Sequence, residues 1–136
     1  LKFLKKTLFL SVIITLPLLL ILIYFNETFL MKVFAIKNEM VSNIFSIVFS
    51  GALFSIVSSI IGFPFLAAFG YSKYANNSLI YASLLYVVYI LIAVTVSKNI
   101  YYVSFSIVVY MLTALLLRLY YIKKTSLLKG KIIDNE

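Results

Sequence analysis

Three residue types are missing from this chain and two more are scarce. Cysteine, histidine and tryptophan do not occur among its 136 residues, glycine appears 4 times and proline twice. Without Cys or His there is no framework for a disulfide, a zinc site, an iron–sulfur cluster or the usual haem ligation, so no redox or metal cofactor is expected. Ser–His catalysis is excluded for the same reason. A Ser–Lys dyad would need Lys73 or Lys98 to reach a buried serine, and both read as loop charges. The glycines are scattered, which leaves no glycine-rich phosphate loop. Acids are scarce too: Glu27, Glu39, Asp134 and Glu136 stand against 12 Lys and Arg, for a net charge of +8. Proton-coupled carriers, metal transporters and intramembrane proteases place ionisable groups within the bilayer. The apolar stretches of this chain read as holding none, and a non-enzymatic protein is expected.

What is present is hydrocarbon. Hydrophobic residues make up 64% of the chain and charged residues 12%, against roughly 25% charged in soluble domains. Uncharged runs occupy residues 7–26, 40–72, 74–97 and 99–117, and a helix crosses about 30 Å of hydrocarbon with roughly 20 residues. Backbone amides inside a bilayer must all be paired, which helices achieve segment by segment. Barrel strands would show polar residues at alternate positions, and no such alternation occurs. The expected fold is an all-α integral membrane protein, a single domain over residues 1–136. Its four transmembrane helices, at about 7–25, 44–69, 79–96 and 100–121, form a bundle followed by a basic tail, 122–136.

Lys2, Lys5 and Lys6 before the first run resemble the start of a signal peptide, but the run is longer than an ordinary signal core and Asn26-Glu27-Thr28 offers no small-residue cleavage site. It is read as a retained span, with Pro17 predicting a kink near the carbonyl of Ile13. In the following segment Phe29, Val33, Ile36 and Met40 recur at helical spacing, with Thr28, Lys32, Glu39 and Ser42 towards another face, which predicts a short helix in the membrane interface. Small residues dominate the second span. Gly51, Ser55 and Ser59 form one i,i+4 ridge and Ser46, Ser50, Ser58 and Gly62 fall on the next. Such ridges let helices approach closely, so this span is expected at the centre of the bundle. Pro64 should kink or end it near Phe63.

Residues 70–78 read as a polar loop, with Asn77 or Ser78 capping the third helix. Ser97-Lys98-Asn99 is so short a connection that the last two spans must form an antiparallel hairpin. Tyr71, Tyr74 and Tyr81 suit a headgroup-level aromatic belt. Tyr86, Tyr89 and Tyr110 fall at mid-depth, where a lone hydroxyl is costly, and should face other helices or a cavity. Together with Ser50 and Ser58 they are the candidates for a polar path.

An inside N-terminus places Lys2, Lys5, Lys6, Lys73, Arg118, Lys123, Lys124, Lys129 and Lys131 in the cytoplasm and only Lys32, Lys37 and Lys98 outside. Both termini are therefore expected in the cytoplasm. The heavy use of Ile, Leu, Lys, Asn, Tyr and Phe fits an AT-rich bacterial genome, hence a bacterial plasma membrane. Lys73, Arg118, Lys123, Lys124, Lys129 and Lys131 are the candidate contacts for a cytoplasmic partner or for anionic inner-leaflet lipids. Direct binding of nucleic acid is not expected.

Four short stretches carry a resemblance. Asn38-Glu39-Met40, Ser50-Gly51-Ala52-Leu53, Tyr71-Ser72-Lys73 and Tyr120-Tyr121-Ile122-Lys123-Lys124, with the overall length and span spacing, look like a family of small four-span Firmicute membrane proteins, some encoded beside LytTR-type transcription regulators. The chain departs from that family at Phe63-Pro64-Phe65, where members carry an acidic residue and a tryptophan. The resemblance implies a membrane-bound antagonist that holds a DNA-binding partner at the cytoplasmic face through Lys73, Lys123 and Lys124.

Three functions compete at this level. The first is a non-catalytic accessory protein that binds a protein partner, as a regulator's membrane inhibitor or as part of a larger complex. Immunity against a membrane-active bacteriocin or toxin is the second. The third is a subunit of a small-solute transporter or channel, which four helices would supply only as a homo-oligomer.

Overall fold

A computed structural model describes residues 2–125, with side chains from Leu4 onward. Every regular element among them is helical: α1 (Lys2–Tyr24), α2 (Asn26–Phe34), α3 (Glu39–Ser50), α4 (Ala52–Ile60), a π-helical stretch Ile61–Ala67, α5 (Ser72–Ile92), a second π-helical stretch Ala93–Ser97, and α6 (Ile100–Lys124). Four helical segments, Leu4–Tyr24, Glu39–Ala67, Ser72–Ser97 and Ile100–Lys124, are long and apolar enough to cross a membrane. The shortest has 21 residues, and at ~1.5 Å per residue it covers about 31 Å. These are the features of a multi-pass membrane protein.

The second and third spans begin earlier than hydropathy predicts, because polar residues cap or extend them. Asn38 accepts from the Met40 amide at 2.9 Å, so the second span starts at Glu39, several residues before the expected 44. Residues 72–78 are not a loop but the first turns of α5, which puts Asn77 and Ser78 inside the helix instead of at its cap. The turn before it is made by Gly70 at φ 79°, with the Gly70 amide on the Ala67 carbonyl and the Tyr71 amide on the Leu66 carbonyl. That pair of bonds is a Schellman ending, which favours glycine at the left-handed position.

Neither proline breaks its span. α1 runs on through Pro17, and at Pro64 the helix continues to Ala67 in π geometry. A wider turn accommodates a missing backbone donor that regular α geometry cannot. The short helix after the first span exists but stops at Phe34, because Ala35 is left-handed at φ 55°. Ile36 and Met40 therefore do not share its face with Phe29 and Val33. The Asn26 amide ties α2 to α3 by donating to the Ser42 carbonyl at 3.2 Å and to Ser46 Oγ at 2.6 Å.

α5 and α6 pack as an antiparallel hairpin, α6 also lies along α3 and α4, and α1 rests on α3 and α4 from the other side. The interior is thus shared between the second span and α6. Its buried cluster, Ile61, Phe65, Leu66, Ala75, Leu115 and Ile122, flanked by Leu4 and Leu8, gathers at the end of the bundle where α1 begins and α6 finishes. The outer faces carry exposed Phe9, Ile14, Leu84, Leu91 and Leu116, an apolar surface of the kind that suits a bilayer.

Candidate functional site

Antiparallel pairing of α5 and α6 sets Tyr86 beside Tyr110, Tyr74 on Tyr121 and Ser78 opposite Arg118. Arg118 is 5% exposed, and it stands about 9 Å inside the end of α6 at ~1.5 Å per residue. Its guanidinium bridges three crossings. Nε donates to Ser78 Oγ at 3.1 Å, while Nη1 donates to the Ser58 carbonyl at 2.5 Å and to Ser58 Oγ at 2.9 Å. Ser78 is free to accept because its own hydroxyl proton goes to the Ala75 carbonyl at 2.6 Å. Gly62 makes the room: a Cβ there would lie 2.5 Å from Arg118 Cζ and 2.6 Å from Nη1. The sequence therefore folds a flat cation onto a bare patch of helix backbone.

None of these partners is a carboxylate. Glu27 and Glu39 line a different cavity, at the far end of the bundle, so the charge is held by neutral acceptors. Charge-bearing hydrogen bonds contribute about 1.5–3 kcal/mol each, which offsets the roughly 2.5–3.5 kcal/mol that insertion scales assign to an arginine at the centre of a span.

Beside the guanidinium lies a cavity of about 210 Å³, lined by Ser55, Ser58, Ser59, Leu79, Tyr110, Met111, Ala114 and Arg118. Several serines in these helices return their proton to their own helix, as Ser50, Ser78, Ser104 and Ser106 do. Ser55, Ser59, Tyr110 and Nη2 of Arg118 have no such partner among the described residues. No sealed polar side-chain atom among the described residues lacks a partner, so the Ser55 and Tyr110 hydroxyls and Nη2 are not sealed, and all three residues line the cavity. Exposed Ser59 marks its mouth. A turn nearer the basic end, Tyr71, Tyr74 and Tyr121 stack at 5.8 and 4.7 Å between centroids.

Of the small ridge residues, Gly51, Ser58 and Gly62 are buried, Ser46 and Ser55 half-buried, and Ser50 and Ser59 exposed. Of the polar-path candidates, Ser58 and Tyr110 share the arginine cavity, and Tyr110 also meets Tyr86 edge-on at 6.2 Å. Tyr86, Tyr110, Ser83 and Ile107 line a second cavity of about 280 Å³. Ser50 and Tyr89 reach neither cavity. Lys73, Lys123 and Lys124 are exposed as surface cations, but Arg118 is not one of them: it points into the bundle, because Gly62 leaves space and Ser58 and Ser78 supply acceptors. Lys129 and Lys131 lie outside the described residues. Sequence reasoning missed Ser78, taken for a cap, and placed Arg118 at the surface. The available signal was the continuation Leu119-Tyr120-Tyr121-Ile122, which sets Arg118 within an apolar run instead of after it.

Compared with known protein families, with curated proteins and with solved structures, the chain matches none.

Proposed function

We propose that the protein is a non-catalytic membrane accessory protein whose cationic end binds an acidic surface on a protein partner. One observation carries this reading: Lys5, Lys6, Lys73, Lys123 and Lys124 all stand exposed at the same end of the bundle. The other end has Lys32, Lys37 and Lys98, with Glu27 and Glu39 among them. The positive-inside rule puts the lysine-rich end in the cytoplasm of a bacterial plasma membrane, with both ends of the chain on that side. Exposed Met31, Val33 and Phe34 on α2 suit a helix resting in the outer interface. Resemblance to the family encoded beside LytTR-type regulators supplies a specific partner, a DNA-binding regulator held at the membrane through Lys73, Lys123 and Lys124.

The test is photocrosslinking from position 73 or 123 of the full chain in native membranes. A defined protein adduct is expected, weakened by salt and abolished in the triple variant Lys73→Glu/Lys123→Glu/Lys124→Glu. Adducts confined to lipid, or a partner captured equally by the triple variant, would overturn the reading.

The two cavities that share Tyr110 favour a second reading, a subunit of a small-solute transporter or channel. Four helices do not enclose a pore, so the path would lie between copies. Liposomes carrying the protein should then pass a small solute, and Tyr110→Ala should change the rate. Liposomes that stay tight to a panel of ions, sugars and amino acids sink it.

A further inference from the structure

We propose that the cavity walled by Ser55, Ser58, Ser59, Tyr110 and Arg118 is a binding site for a phosphate-type oxyanion. This stands whether or not the lysine-rich end docks a protein.

The wall has an excess of donors over acceptors. Nη2 of Arg118 and the hydroxyls of Ser55, Ser59 and Tyr110 have no protein acceptor among the described residues, and Ser58 Oγ accepts from Nη1. A hydroxyl can donate or accept, but a guanidinium only donates, and it fixes the sign of what is wanted. The charge is buried with no carboxylate among its hydrogen-bond partners, and intramembrane cations are ordinarily paired. An anion completes the set.

Geometry selects the kind of anion. The donors come from α4 on one wall and from α6 on the other. A planar carboxylate offers two oxygens in one plane, whereas a tetrahedral oxyanion presents acceptors on every side. About 210 Å³ takes such a group with a few waters, each of which occupies roughly 30 Å³ in the liquid. The guanidinium itself is pre-positioned by Ser58 and Ser78, so binding does not have to order it. A phosphate of this kind can arrive free from water or as the headgroup of a phospholipid entering sideways past Ser59, close below the lysine-rich end. Phosphate chemistry is common to both sources.

The experiment uses the full chain, delipidated in a phosphate-free maltoside detergent, with thermal unfolding followed by circular dichroism. Sodium phosphate, a short-chain phosphatidylglycerol and sodium acetate are titrated at matched ionic strength. The expected result is a saturable rise in Tm with phosphate or with the phospholipid and none with acetate. A response to both phosphate species means that the free oxyanion suffices, and a response to the phospholipid alone identifies a headgroup site; each supports the proposal. The double variant Ser55→Ala/Ser59→Ala leaves every bond to Arg118 intact, so it should unfold at the parent temperature yet need about ten-fold more ligand. Tyr110→Phe removes a third hydroxyl and should shift the midpoint in the same direction. The proposal is overturned if neither phosphate species raises Tm, if acetate raises it as much, or if both variants keep the parent midpoint.

Discussion

Two glycines bring the second span against α6, and they do so for different ends. A Cβ on Gly51 would lie 2.8 Å from Met111 Sδ and 3.4 Å from Val108 Cα, so this is a dry approach of backbone to backbone with a pliable thioether filling the margin. On Gly62 the obstruction is the guanidinium of Arg118, three atoms of which would lie within 2.9 Å of the added Cβ. The first glycine serves packing between helices that have no hydrophobic drive to associate within lipid. The second serves a charge, since without it the cation has nowhere to lie while it reaches Ser58 and Ser78. Small residues on one helix thus do unlike work, and position along the span decides which.

That contrast can be broken at several points. Gly62→Ala should cost the most, about 3 kcal/mol, because displacing the guanidinium forfeits at least two charge-bearing hydrogen bonds; unfolding in mixed micelles measures it, and a loss under about 1 kcal/mol would erase the distinction from Gly51. Adding Arg118→Met to that variant should return about 2 kcal/mol in a double-mutant cycle, as expected of groups in contact; strict additivity would show that Gly62 acts without the arginine. Gly51→Ala should cost about 1.5 kcal/mol, towards the low end for overpacking, since Met111 can move aside, and its energy should be independent of residue 118. Ser58→Ala should cost about 1 kcal/mol, because the Ser58 carbonyl still holds Nη1. Least affected is Ser50→Ala, within about 0.5 kcal/mol: its exposed hydroxyl bonds only to the Ile47 carbonyl of its own helix at 2.6 Å.

Hydropathy made the four spans legible, because a bilayer imposes length and apolarity on every crossing regardless of partner. It also showed the small-residue ridge that contains Ser58 and Gly62. What hydropathy could not show was direction. Asn76-Asn77-Ser78 has the composition of a turn, yet the Schellman ending at Gly70 starts the next helix early and carries Ser78 inside it. Arg118 has the composition of a boundary, yet its side chain turns inward because a space on another helix fits it. Both misreadings come from tertiary context: a residue's neighbours on its own helix do not record what the opposing helix leaves open.

Arg118 and the two serines that hold its guanidinium, Ser58 and Ser78, sit on three successive crossings, and α1 takes no part. Order of synthesis then has a consequence. A ribosome delivers both hydroxyls to the membrane before it delivers the cation, so Arg118 enters a bilayer in which its acceptors already wait. A chain interrupted short of the last crossing leaves two harmless serines behind, and a nascent chain never has to shelter a charge whose partners are still to be made.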